Sequence, residues 1–184
     1  MNARRIPKGI IDKAKKVKLI AMDVDGVLTG GEILVYECGS KIKELKVWNV
    51  RDRMGFSLLR SAKADLKLAW ITGRYCKHVA DQAKELKIES FTQDCMDKGT
   101  AMKGIMKKFL LNHEQVLYIG DDLVDVPVLK MAGLGIAPSD AIPEALNEAD
   151  YITSVPGGKG VFREVVELVL KAQGLWSFAA ANYL

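Results

Sequence analysis

The chain has 184 residues, with 27 Lys+Arg against 23 Asp+Glu for a formal charge of +4, and is 49% hydrophobic and 27% charged. That length suits one domain whose core takes up roughly 70% of the surface an unfolded chain exposes, and the composition excludes a disordered or low-complexity protein. Three widely spaced cysteines (Cys38, Cys76, Cys95) exclude a disulfide scaffold and a cysteine zinc site and fit a reducing, cytoplasmic setting, and no run of ~18 uncharged apolar residues predicts a membrane span.

In chain order, the first segment is basic: Arg4, Arg5, Lys8, Lys13, Lys15, Lys16 and Lys18. It lacks the apolar run of a secretory signal and the interleaved aromatics of a nucleic-acid surface, so it reads as a solvated helix face, with neither nucleic acid nor membrane as partner. Val17–Met22, Leu66–Ile71 and Val116–Ile119 are short apolar runs that each stop at acidic or turn residues, and Leu134–Ala137 and Tyr151–Thr153 are two more. Such runs read as buried strands. Helical patterns lie between them at about 53–64, 75–87, 98–111, 123–132, 141–148 and 160–173. The alternation predicts an α/β fold, a doubly wound parallel sheet with helices on both faces, and a single domain over residues 1–184. Residues 32–48 break the rhythm and read as a β-hairpin turning at Gly39-Ser40, inserted after the first strand. Residues 174–184 form an apolar tail with Trp176, Phe178 and Tyr183, which either covers its own domain or reaches a neighbour.

The chemistry sits at the strand ends. Asp23 and Asp25 in Asp23-Val24-Asp25-Gly26 lie two apart, so on an extended strand they point the same way. Paired carboxylates repel unless a cation or a proton intervenes; the alternative is a helix-capping Asp with an incidental neighbour. Gly120-Asp121-Asp122-Leu123-Val124-Asp125 closes another strand, and its acids either cap the next helix or join the first pair around a hard cation such as Mg²⁺. Ile71-Thr72-Gly73-Arg74 offers a hydroxyl and backbone N–H groups at an expected helix start, suited to an anion or to simple capping. Lys98, after Asp97, opposes the dipole of the helix it opens unless something negative compensates.

Taken in order, DxDGVLT, ITGR, a lone DK and GDDxxD resemble the haloacid dehalogenase-type phosphohydrolase superfamily. Asn49-Val50-Arg51-Asp52, GDDLVDVPVL and GGKGVFREV extend the resemblance over nearly the whole chain, to the small branch without a cap domain. That branch includes phosphatases of 3-deoxy-D-manno-octulosonate 8-phosphate and of nonulosonic acid 9-phosphates. The resemblance implies a Mg²⁺-dependent phosphatase with Asp23 as nucleophile and Asp25 as acid and base. It implies Mg²⁺ on the carboxylates of Asp23 and Asp121 and the carbonyl of Asp25. It places Thr72, Gly73 and Lys98 on the phosphate, Asp125 behind Lys98 or a metal-bound water, and Asp122 in a supporting place. Arg51, Arg74 and Lys159, in or beside matching motifs, become candidates for the sugar-acid carboxylate, although Arg51 has Asp52 or other hairpin acids as alternative partners.

The enzymes the chain resembles are mostly tetramers, and the resemblance implies lipopolysaccharide-precursor synthesis in a bacterial cytosol. The hairpin's alternating apolar positions (Ile33, Val35, Ile42, Leu45, Val47) accordingly suggest cover by another subunit, since two strands alone are marginal. Two departures bear on the sugar: Arg53 where the branch has Gly, at the expected entrance to the site, and a longer hairpin with Cys38 near its tip. A phospho-acceptor receiver domain shares the residue types but not their order. An idle assembly module, as in relatives fused to sugar-nucleotide synthetases, would be expected to have lost some of the acids.

Overall fold

The apolar runs become strands of one parallel sheet in the computed structural model, which describes residues 6–181 and 183–184. β1 (Leu19–Met22) lies at the centre, β2 (Leu34–Cys38) and β3 (Lys41–Leu45) form the separate antiparallel hairpin, and β4 (Lys67–Ile71), β5 (Ser90–Thr92), β6 (Val116–Ile119), β7 (Leu134–Ala137) and β8 (Tyr151–Ile152) complete the sheet. The order is β5-β4-β1-β6-β7-β8. Met22, the last residue of β1, pairs with Trp70 of β4 and Ile119 of β6, so three strands end side by side at one edge.

Helices cover both faces because every central strand is apolar on both sides. α1 (Lys8–Lys16), α2 (Val50–Ser61), α3 (Lys77–Glu85), α7 (Val161–Ala172) and α8 (Trp176–Ala180) pack with Ile20, Met22, Trp70, Leu117 and Ile119. α4 (Lys98–Phe109), α5 (Val126–Met131) and α6 (Pro143–Glu148) pack with Leu19, Ala21, Ala69, Ile71 and Tyr118. Within the first layer Phe56 sits 4.2 Å from Phe162 and meets Trp70 edge-on at 6.1 Å, while Trp48 stacks on Trp70 at 5.8 Å.

Several elements differ from the sequence expectation. β5 has only three half-buried residues at the sheet edge, too few to register as a pattern. The helix expected over 123–132 is a 3₁₀ turn (Leu123–Asp125) followed by α5, with Pro127 in its first turn. α2 starts at Val50 because Asn49 caps it, accepting the Arg51 N–H at 2.9 Å. α3 starts only at Lys77, so Gly73–Cys76 is a loop and Thr72 caps no helix.

The tail folds back on its own domain: α8 packs against α2 and α7, burying Ala179 and Ala180, with the cations of Arg163 and Lys171 over the Trp176 ring. Phe178 and Tyr183 stay exposed. In the basic segment, Arg4 and Arg5 lie outside the described residues, whereas Lys13, Lys15, Lys16 and Lys18 pair with Asp150, Asp12, Glu114 and Asp65. Among the described residues no helix is long and apolar enough to cross a membrane.

The hairpin also corrects a detail. Val35 pairs with Glu44 and Glu37 with Ile42, whereas Leu34 pairs with Leu45 and Tyr36 with Lys43. Val35 and Ile42 therefore share one face and Leu45 the other, so the exposed apolar residues divide between two faces.

Candidate active site

The common edge of β4, β1 and β6 delivers Thr72, Asp23 and Asp121 to one place. β1 is where the chain's course changes direction in the sheet, and crevices at such points are where open α/β sheets bind ligands. A cavity of about 410 Å³ opens there, lined by Asp23, Asp25, Thr72, Gly73, Arg74, Lys98, Asp121 and Asp122, together with Met96 and Asp140.

Lys98 organises the floor. It is fully buried at the first position of α4, where its charge is unfavourable to the helix, and two carboxylates compensate. Its Nζ lies 2.8 Å from Asp23 Oδ2 and 2.7 Å from Asp125 Oδ1. Burial alone would lower the Lys98 pKa, but Asp23 and Asp125 hold it above its usual value. Asp125 is saturated: Oδ1 also accepts Tyr118 Oη–H at 2.6 Å, and Oδ2 accepts the N–H groups of Asp121 and Asp122 at 3.0 and 3.1 Å. It fixes Lys98 and the β6 strand end at once.

Asp23 and Asp121 are short of positive charge. Burial pushes Asp23 up to about 7 despite Lys98, and pushes Asp121 up to about 8, with Asp23 and Asp125 adding repulsion. Asp121 Oδ1 is buried without a hydrogen-bond partner. Carboxylate oxygens of Asp23, Asp121 and Asp125 lie within 4.8 Å of one another. Since Asp125 already serves Lys98, Tyr118 and two N–H groups, Asp23 and Asp121 are the donors left for an added cation, and an all-oxygen set suits a hard divalent one. Glycines make the closeness possible. A Cβ on Gly26 (φ +81°) would fall 1.9 Å from Asp121 Oδ2, and one on Gly157 would fall 2.0 Å from the Gly26 carbonyl oxygen.

Asp25 presents its carboxyl to the same cavity, with Oδ1 accepting from Lys46 Nζ at 2.6 Å and from Thr29 Oγ1 at 3.3 Å. Buried Thr72 accepts the Arg74 N–H at 3.4 Å. Asp122 caps the 3₁₀ turn, accepting the Leu123 N–H at 2.6 Å. Arg74 lines the cavity and pairs with Glu44 at 2.9 Å.

Arg51 and Lys159 are not brought to the carboxylates within this chain. Both line a second cavity with Tyr151, Arg163 and Glu167, beside the start of α7. The Arg51–Asp52 pair does not form either, because Asp52 turns inward, accepts the Arg163 N–H at 2.9 Å and is pushed up to about 6 by burial. Arg53 is not at the entrance: its guanidinium ties α2 to Gln82 and Glu85 of α3. Sequence reasoning passed over Lys46, Glu44, Thr29, Asp140 and Tyr118. Only the spacing of Glu44 and Lys46, two apart and hence on one side of an extended segment, could have signalled their shared role.

Residues 75–165 match the haloacid dehalogenase-like hydrolase family. The 3-deoxy-D-manno-octulosonate 8-phosphate phosphatase of Escherichia coli K12 is 41% identical over 165 residues, covering 90% of this chain and 85% of that one. The crystal structure of the Moraxella catarrhalis phosphatase of the same name, in complex with magnesium, phosphate and KDO, superposes with a TM-score of 0.89 at 40% identity, covering 95% of this chain and 98% of that one. The cobalt-bound Haemophilus influenzae enzyme gives 0.82 at 36% identity, covering 90% and 94%. With an α/β sheet, a strand-end acid cluster and relatives at this identity over most of its length, the chain belongs to the haloacid dehalogenase-like hydrolases, in the family of the 3-deoxy-D-manno-octulosonate 8-phosphate phosphatases.

Proposed function

We propose that the protein is a Mg²⁺-dependent phosphatase of a 2-keto-3-deoxy sugar acid phosphate, 3-deoxy-D-manno-octulosonate 8-phosphate, acting in the cytoplasm as one domain without a cap. The observation that carries this reading is the Asp23–Lys98–Asp125 cluster beside Asp121, whose buried oxygen has no partner. The named relatives favour the octulosonate over a nonulosonate.

Asp23 attacks the phosphorus, the bond to the sugar oxygen breaks, and an aspartyl-phosphate forms. Asp25 gives its proton to the departing sugar oxygen, then takes one from the water that attacks the intermediate. Thr72 and Gly73 hold the phosphoryl oxygens. Lys98, kept in place by Asp125, balances the charge that spreads over them. Asp23, Asp121 and the Asp25 carbonyl would hold Mg²⁺, with Asp122 supporting the loop. When bound, the ion supplies the charge that lets Asp23 and the phosphate approach against their repulsion.

Arg74, at the cavity rim, is the proposed partner of the sugar-acid carboxylate. Arg51 and Lys159 would take part only across an interface between subunits. A homotetramer is proposed for the same reason that the hairpin has exposed apolar residues on both faces.

The test is phosphate release with Mg²⁺ from 3-deoxy-D-manno-octulosonate 8-phosphate beside a nonulosonate 9-phosphate. The expected result is a kcat/KM at least about tenfold higher for the first, the scale that one well-placed pocket contact supplies. Preference for the second would move the substrate. Release from neither would leave an assembly module.

A further inference from the structure

Lys46 is the one residue of the hairpin region whose side chain has no exposed surface, although both strands before it lie in solvent. Its ammonium sits 2.6 Å from Asp25 Oδ1 and 2.9 Å from Glu44 Oε1, and Glu44 in turn holds Arg74. A buried ammonium is costly, and a hairpin that needed only a plug here would be served by an apolar side chain. Lys46 does not line the substrate cavity, so it does not act on the phosphate itself. It acts on one oxygen of Asp25. Lys46 and Thr29 both donate to Oδ1, and among the described residues Oδ2 receives no hydrogen bond. The carboxyl is thus pinned by one oxygen with the other left for proton transfer.

We propose that Lys46 is a positioning residue for Asp25: with Thr29 it clamps Oδ1, so that Oδ2 is the oxygen turned toward the sugar oxygen. Glu44 completes the device by fixing Lys46 and joining it to Arg74, which ties the acid to the rim of the cavity. The inference rests on the phosphatase reading above and deepens it.

A comparison of leaving groups tests it. A sugar alkoxide needs the proton, whereas p-nitrophenolate leaves without one, and kcat/KM reports the step in which each departs. Lys46→Met should lower kcat/KM for 3-deoxy-D-manno-octulosonate 8-phosphate at least about 30-fold and for p-nitrophenyl phosphate less than about threefold, since general acid catalysis contributes about 10²–10⁴-fold. Added to Asp25→Asn, it should lower the sugar-phosphate rate less than about twofold further, as expected of residues acting as a unit. Equal losses on both substrates, no loss on either, or a full additional loss in the Asp25→Asn background would overturn the proposal. Circular dichroism establishes that the variant folds; if it does not, Thr29→Val removes the other donor to Oδ1 and must show the same leaving-group pattern. Wild-type protein inactive on the sugar phosphate would overturn the phosphatase reading and this inference together. Wild-type activity with equal losses would overturn this inference alone.

Discussion

Asp23 and Asp121 are held where they ionise reluctantly, near 7 and 8, mainly because burial removes water without supplying enough positive charge. A carboxyl whose pKa is higher folded than unfolded stabilises the fold fully below its unfolded value, and that contribution is lost as pH rises through the folded value. The metal-free protein should therefore lose stability between about pH 4 and pH 8, and Mg²⁺ should restore it. The gain in Tm on adding Mg²⁺ should be larger at pH 8.5 than at pH 6, as followed by thermal melts; a gain independent of pH would contradict this. Asp121→Asn should raise the metal-free Tm at pH 8.5 by roughly 2–8 °C and remove the response to Mg²⁺.

At the level of elements, the site depends on loops that pass closer than side chains allow. Gly26→Ala places its Cβ into Asp121 at a positive φ, so kcat/KM should fall at least about 100-fold with secondary structure retained. Wild-type-like activity would show that the Asp121 position is not critical. Phe56, wedged between Phe162 and Trp70, belongs to packing rather than chemistry, and Phe56→Ala should cost about 3–5 kcal/mol in chemical denaturation.

The strands bearing the site were legible because continuous apolar runs ended abruptly in acidic or turn residues. The rule that ligands gather where parallel strands end placed Asp23, Thr72 and Asp121 together, and the resemblance to the phosphohydrolase motifs chose between the capping and binding roles left open. The Asp25–Lys46 and Arg74–Glu44 contacts were not legible: they depend on how the hairpin folds back over the sheet edge, which no local pattern encodes. Where Arg51, Arg53 and Lys159 lie within the chain was not legible either. A motif gives a residue's neighbours in sequence, but α2 turns Arg53 toward α3 and Arg51 toward α7.

For the molecule as a whole, the hairpin is the unfinished surface. Val35 and Ile42 on one face, and Leu34, Tyr36 and Leu45 on the other, remain exposed. Apolar area of this kind on a two-stranded ribbon calls for cover on both sides, which a second copy on one side alone would not supply. Sedimentation velocity should find a tetramer, and Ile42→Lys should shift it to smaller species while leaving the sheet's far-ultraviolet signal intact. A wild-type monomer at micromolar concentration would refute the assembly.

In the proposed function Asp23 performs metal-dependent phosphoryl transfer from a sugar acid phosphate. Phosphate release from 3-deoxy-D-manno-octulosonate 8-phosphate, measured for wild type and Asp23→Asn with Mg²⁺ and with a chelator, tests it most directly. Rapid release is expected only from wild type with Mg²⁺, and Asp23→Asn should be folded and assembled but inactive. Substantial release by Asp23→Asn, or undiminished release in the chelator, would contradict it.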